Sequence, residues 1–298
     1  LILRRRPMDF PKSPRMAAGL QPLLGNSSFI SNGEIWLHQR RIIDPAFEGG
    51  RLRDAFPAMS AATEAGVARL APLADGRDID IEPQTSHIAA DVIFRTLFSI
   101  PIENAIAARV FEAFRDHQNA QPMVNLGGLI ALPRWARLHS RRVRDSAHRI
   151  RGLIRELVTA RAAEIAAGTA PPDLATKIMT TPDPQTGNRF SPPEMIDEVA
   201  TFFLAGHETG ASALAWALFL LAENPEWQDR LADEAARHPT PDFAAVKSLS
   251  VARAVFREAL RLYPPVAMTV RQCAHAETLR DRKAPKGAQL VLSPWHLH

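Results

Sequence analysis

At 298 residues and 46% hydrophobic, the chain is long enough to bury a large core, and its 23% of charged residues excludes a disordered or fibrous class. A formal net charge of +4 suits an acidic partner or surface but is too small for nucleic acid, because no Lys/Arg block is interleaved with aromatic residues. The single cysteine, Cys273, forbids an internal disulfide and a cysteine-based zinc site, so a reducing compartment, the cytoplasm, is the expected location.

The chain opens on Leu1-Ile2-Leu3-Arg4-Arg5-Arg6-Pro7, with too few apolar residues for a signal-peptide core, and this start is expected not to be the native one. Ser31 to Glu34 has the spacing of a capping box, and Asp44-Pro45 should stop the helix it begins. The apolar run from Asp91 to Ser99 reads as a buried helix ended by Pro101, and another helix is expected from Glu103 to His117. From Arg141 to Ala167 many arginines face one side and Ile150, Leu153, Ile154, Leu157 and Val158 the other, an amphipathic pattern whose arginines read as a solvated face or a partner-facing one.

Ser191-Pro192-Pro193-Glu194 combines a capping residue, a proline at the first helical position and a capping-box glutamate, and it opens a helix that should run to Asn224-Pro225. Asn224-Pro225-Glu226 then starts a further helix that His238-Pro239 ends, and Ser250 another that reaches Leu262 before Pro264-Pro265. Val270, the Lys286-Gly287 turn and Gln289 to Leu292 suggest short strands. The expected fold is mainly α with a minor β-sheet, in a single domain spanning 1–298.

The stretch from Val199 to Ala222 is apolar enough to raise a transmembrane reading, but His207 and Glu208 sit near its middle, where a charge costs about 2.5–3.5 kcal/mol. A buried core helix is expected instead, and membrane association is not indicated. Ala205, Gly206, Thr209, Gly210 and Ala213 form a small-residue stripe, which fits either the close approach of a second helix or a flat cofactor. Two mid-helix glycines each cost about 1 kcal/mol relative to alanine, which favours a need for room. Thr209 is placed to bond back to the carbonyl of Ala205 and open the helix locally, beside a Glu208 that, if buried, would serve as a proton donor.

Ala205-Gly206-His207-Glu208-Thr209, followed by Glu258-Ala259-Leu260-Arg261 and Tyr263-Pro264-Pro265, resembles the oxygen-activating helix and the Glu-x-x-Arg helix of the cytochrome P-450 haem-thiolate monooxygenases. Trp36 and Arg40, four apart with only donors to offer, resemble that family's Trp-x-x-x-Arg helix, although Arg40 stacked on Trp36 accounts for the spacing equally well. The resemblance implies a cytochrome P-450 fold truncated at both ends and a haem b cofactor. Trp36, Arg40 and Arg271 would then hold its propionates and Ala205 and Gly206 lie against its face. It further implies Thr209 beside the site of oxygen activation, Glu208 on the proton route, and Glu258 with Arg261 as a structural pair.

The activity implied is hydroxylation of a hydrophobic small molecule with O2, the electrons coming from NAD(P)H through a ferredoxin- or reductase-type partner. Arg41, Arg51 and Arg53 would contribute to a basic docking surface for that donor. The family's Phe-x-x-Gly-x-x-x-Cys-x-Gly loop is not found, so the axial cysteine is expected beyond His298 and the chain by itself is expected to be inactive. Cys273, only twelve residues after Arg261, reads as a packing residue. The alternative is a helical remnant or interaction module without haem. A zinc hydrolase fails because a His-Glu-x-x-His site needs a second histidine where Ala211 stands.

Overall fold

The computed structural model describes residues 2–48, 50–120, 141–238 and 242–297. Helices dominate, with two small antiparallel sheets near the end of the chain. The residues group into two compact units. The first comprises Leu1–Phe47, Glu103–Phe202 and Thr269–Leu292, and the second Glu48–Ile102, Phe203–Met268 and Ser293–His298.

In the first unit, α1 (Pro14–Leu24) starts where the Ser13 hydroxyl accepts from the Arg15 amide, with Pro14 at the first helical position. Helix α2 (Gly33–Ile43) follows, but its cap corrects the capping-box expectation. The Ser31 hydroxyl donates to Gln39 at 2.5 Å instead of capping, and Asn32 occupies the cap position without a capping bond because its side-chain oxygen accepts from the Lys12 amide. Tertiary partners have taken both side chains from the local motif.

Helix α5 (Ala105–Ala120) packs against the long α6 (Arg141–Ala167), whose buried row includes the five apolar residues expected from periodicity. Val110, Ala113 and Phe114 supply the opposing face. Full burial of each large side chain contributes about 1.5–3 kcal/mol. Arg161 interrupts the row: it is buried and pairs with Asp173, the residue that caps α7 (Leu174–Thr180). Strands β1 (Thr269–Gln272) and β4 (Gln289–Leu292) pair antiparallel, Thr269 opposite Leu292, while β2 (Glu277–Leu279) and β3 (Arg282–Ala284) form the second ribbon.

Helix α8 (Pro192–Glu223) begins in the first unit and continues into the second. Its start matches expectation: Glu194 accepts from both the amide and the hydroxyl of Ser191. At 32 residues it is about 48 Å long. No described helix is long and apolar enough to cross a membrane.

The second unit holds α3 (Arg51–Leu70) packed on α4 (Glu82–Phe98), together with α9 (Pro225–Ala236), α10 (Ser250–Leu262) and α11 (Pro294–Leu297). Helix α4 starts nine residues before the expected Asp91 and closes on Ser99 in the left-handed region, φ 56°, two residues before Pro101. Phe94 and Phe203, ring centroids 4.5 Å apart, anchor this unit's core with Leu97 and Phe98. At the other end, Glu234 accepts from the amides of Val251 and Ala252 and thereby caps α10 from a neighbouring helix.

Candidate cofactor site

The first unit assembles a group of cations around Lys12. The residue lies between the first short helical turn and α1, and its backbone forms a β-bridge with Arg271 of β1. Its ammonium donates to the carbonyls of Ser28 at 2.6 Å and Ser31 at 3.0 Å, and it stands 5.3 Å from the ring of Trp36. Arg40, one turn further along α2, lies 5.8 Å from the same ring and pairs with Asp44 at 2.6 Å. The Trp36 ring is thus flanked by two cations, the stacking arrangement that the spacing allowed.

Burial pushes the Lys12 ammonium down to about 8, and the positive charges of Arg271 and Arg40 push it the same way. Burial also lowers Arg271, whose guanidinium donates to the Thr269 hydroxyl at 3.2 Å and the Val270 carbonyl at 3.0 Å. An ammonium depressed by burial and by two neighbouring cations marks a site that an anion stabilises. A guanidinium fork and an ammonium suit carboxylates in particular. The structure therefore brings together Trp36, Arg40 and Arg271 and adds Lys12, which the sequence reading missed.

Behind this group stand buried carboxylates. Asp183 is fully buried and accepts two bonds from Arg41, both 2.8 Å, with His38 Nδ1 at 2.6 Å. Arg41 holds its carboxyl far below the usual range. This corrects one part of the expected docking surface, because Arg41 is committed to an interior partner. Arg53 lies 5.8 Å from the Phe243 ring, and the Arg51 side chain is outside the described residues.

In the second unit, the helical segment 205–209 does not present one uniform stripe. Ala205 and Glu208 are exposed, whereas a Cβ on Gly206 would meet Ile93 Cδ1 of α4 at 2.4 Å and one on Gly210 would stand 3.7 Å from Ala89. Gly206 therefore serves close packing of α8 on α4, whereas Gly210 is exposed and a side chain there would make only ordinary contact with Ala89. The exposure of Glu208 corrects the expectation of a buried carboxyl. His207, given no role from sequence, is buried with Nε2 2.8 Å from the Ser86 hydroxyl. Thr209 donates to the Ala205 carbonyl at 2.5 Å, the back-bond anticipated from its position.

Glu258 and Arg261 form a two-bond pair, 2.8 and 2.7 Å, on one face of α10, with side chains 53% and 45% exposed. Each shifts the other towards its charged form. Cys273, by contrast, is buried next to β1, its amide donating to Ala288 and its carbonyl accepting from Gly287, and burial pushes its thiol up. A raised thiol does not fit a thiolate ligand. Among the described residues no cluster of three or more His, Cys, Asp or Glu could hold a metal ion.

Comparison with known sequences and structures agrees with this geometry. The family described as Cytochrome P450 matches residues 2–298, and the chain belongs to that family. Among its relatives, cyclooctat-9-en-7-ol 5-monooxygenase of Streptomyces melanosporofaciens is 33% identical over 282 residues, 93% of this chain and 60% of the relative. A cytokinin hydroxylase of Arabidopsis thaliana is 28% identical, covering 100% of this chain and 59% of the relative. The crystal structure of the cytochrome P450DA heme domain superposes with a TM-score of 0.82 at 22% identity, over 97% of this chain and 64% of that one, which establishes the fold. The chain thus spans about 60% of the length of the relatives it matches.

Proposed function

We propose that the full-length protein is a haem-dependent monooxygenase that hydroxylates a hydrophobic small molecule, using O2 and electrons from NAD(P)H delivered by a ferredoxin- or reductase-type partner in the cytoplasm. The observation that carries this reading is the cation group at Lys12, Arg40 and Arg271 beside Trp36, which fits the two acidic arms of haem b and in which only Arg40 is paired with a carboxylate, Asp44. Haem, when bound, supplies the activation of dioxygen. The chain supplies the grip.

Arg271 offers a guanidinium fork, Lys12 its third ammonium hydrogen and Trp36 its indole N–H to the carboxylates. On α8, Ala205 leaves space for a flat ring, Thr209 places a hydroxyl at the opened turn, and Glu208, exposed to water, links that turn to a proton supply. Glu258 and Arg261 act structurally, as a preformed pair awaiting a further partner in the full-length protein.

The test is expression of the full-length protein, followed by the carbon-monoxide difference spectrum of its reduced form and assay of isotopically labelled O2 incorporation. The expected result is a thiolate-type Soret shift and label in a product alcohol. A folded protein that takes up no haem would leave the helical interaction module as the surviving reading.

A further inference from the structure

The loop Gly25–Ser31 joins α1 to α2, and polar side chains hold it at Asn26, Ser27 and Ser28 in succession. The Asn26 amide donates to Asp197 Oδ2 at 2.7 Å and the Asn26 carbonyl accepts from Gln39 at 2.6 Å. The Ser27 hydroxyl accepts from Thr201 at 2.6 Å. Ser28 donates twice to Glu198, from its amide and from its hydroxyl, both at 2.7 Å. Gly25 is required where the loop begins: its φ is +57°, and a Cβ there would sit 2.1 Å from Asp197 Oδ1. Three of these anchors, Asp197, Glu198 and Thr201, belong to one face of α8.

Glu198 is the costliest of them. Its side chain is fully buried, and burial with the neighbouring Asp197 charge raises its carboxyl to about 7 against the opposing pull of Ser28 and Lys12. A buried carboxyl of this kind is tolerated only where it has a partner. Its partner, Ser28, is the residue whose carbonyl receives the Lys12 ammonium. The path from α8 to the cation group is therefore short: Glu198, Ser28, Lys12.

We propose that Glu198 is a positioning residue for the haem grip, aiming Lys12 through Ser28 and keeping its ammonium charged. The inference rests on the haem reading given above. Around Lys12 stand Arg271 on β1 and Arg40 on α2, which oppose its charge, and Glu198 on α8, which supports it. Glu198 in turn faces Lys12 and Asp197, the latter paired with Arg151 of α6 at 2.7 Å. The sign of the pH effect follows. Lys12 is charged below about 8, so attraction for a carboxylate is complete there and declines as pH rises through that value. Removing the Glu198 charge makes the decline begin earlier.

The experiment measures the equilibrium partition of haem between the full-length protein and a competing apo-haem protein from pH 6 to 10, for wild type, Glu198→Gln and Lys12→Arg. Glutamine removes the charge while its oxygen still accepts from the Ser28 amide and its NH2 donates to the Ser28 hydroxyl, which reverses that bond. Wild type should hold haem evenly to about pH 8 and lose it progressively above. Glu198→Gln should begin its loss roughly half a pH unit lower, a threefold change in the proton affinity of Lys12. Lys12→Arg should remove the decline in this range, since a guanidinium stays charged. A Glu198→Gln onset equal to wild type, or a decline that persists in Lys12→Arg, overturns the inference while leaving the haem reading intact. If Glu198→Gln does not load, Lys12→Arg decides alone. A wild-type protein without haem overturns both.

Discussion

The two units differ in how they hold the carboxylates nearest their candidate functional residues, although Glu234 and Asp91 show that the second unit also buries and engages some. In the first, carboxylates are buried and fully engaged: Asp183 with Arg41 and His38, Asp173 with Arg161, Glu198 with Ser28. In the second, Glu258–Arg261 and Glu208 lie on helix surfaces in water. Buried pairs hold their geometry because breaking them strands a charge, whereas an exposed pair is screened and exchanges readily with solvent. On the proposed haem reading, the grip for an anion is thus prebuilt in the first unit. The candidate residues of the second, Glu208, Glu258 and Arg261, lie on helix surfaces.

The largest effect separating these regimes is expected at Arg261. In the full-length protein Arg261→Ala should abolish haem-loaded folding, seen as loss of the Soret band in purified material. Normal loading would reduce the pair to an ordinary surface contact of three-residue spacing. In the first unit, Asp173→Ala removes one of the two carboxylate partners of buried Arg161, Glu164 remaining, together with the cap of α7, and should lower unfolding free energy by about 2–4 kcal/mol in urea titrations. A loss below about 1 kcal/mol would show that the buried pair is not what holds α7.

A smaller change is expected where α8 packs on α4. Gly206→Val should destabilise by about 1–3 kcal/mol through the clash with Ile93, and Ile93→Ala should recover part of it in a double-mutant cycle. Additive effects would mean that the two residues do not touch. The mildest perturbation is Thr209→Ala in the full-length protein, which should leave haem content unchanged and lower product formed per NAD(P)H on the order of tenfold. Unaltered coupling would remove Thr209 from the reaction.

Helix positions were legible where the signal is local: the amphipathic row of α6, the Ser191–Glu194 box, and the Pro stops around α8 and α10. Helices α1 and α3 were not anticipated, because internal Pro22 and Pro57 interrupt their patterns. The Ser31 box failed because Gln39 and Lys12 compete for the capping groups. Lys12, Asp183 and Glu198 were invisible for the same reason. Each acts on residues more than ten positions away in the chain, and no periodicity connects them. The scarcity of lysine, five residues in the whole chain, was the one available hint that a buried lysine has a purpose. The glycines at 206 and 210 were recognised as making room, and at Gly206 the occupant is Ile93 of α4.

The central claim is that Lys12, Trp36, Arg40 and Arg271 grip two carboxylate arms. It is tested most directly by measuring, in the full-length protein, the affinity for iron protoporphyrin against its dimethyl ester, in wild type and in Lys12→Met/Arg271→Met. The account predicts that wild type prefers the free acid by about tenfold or more, from at least one charge-assisted contact, and that the double variant loses the preference. Equal affinity of wild type for acid and ester would contradict it.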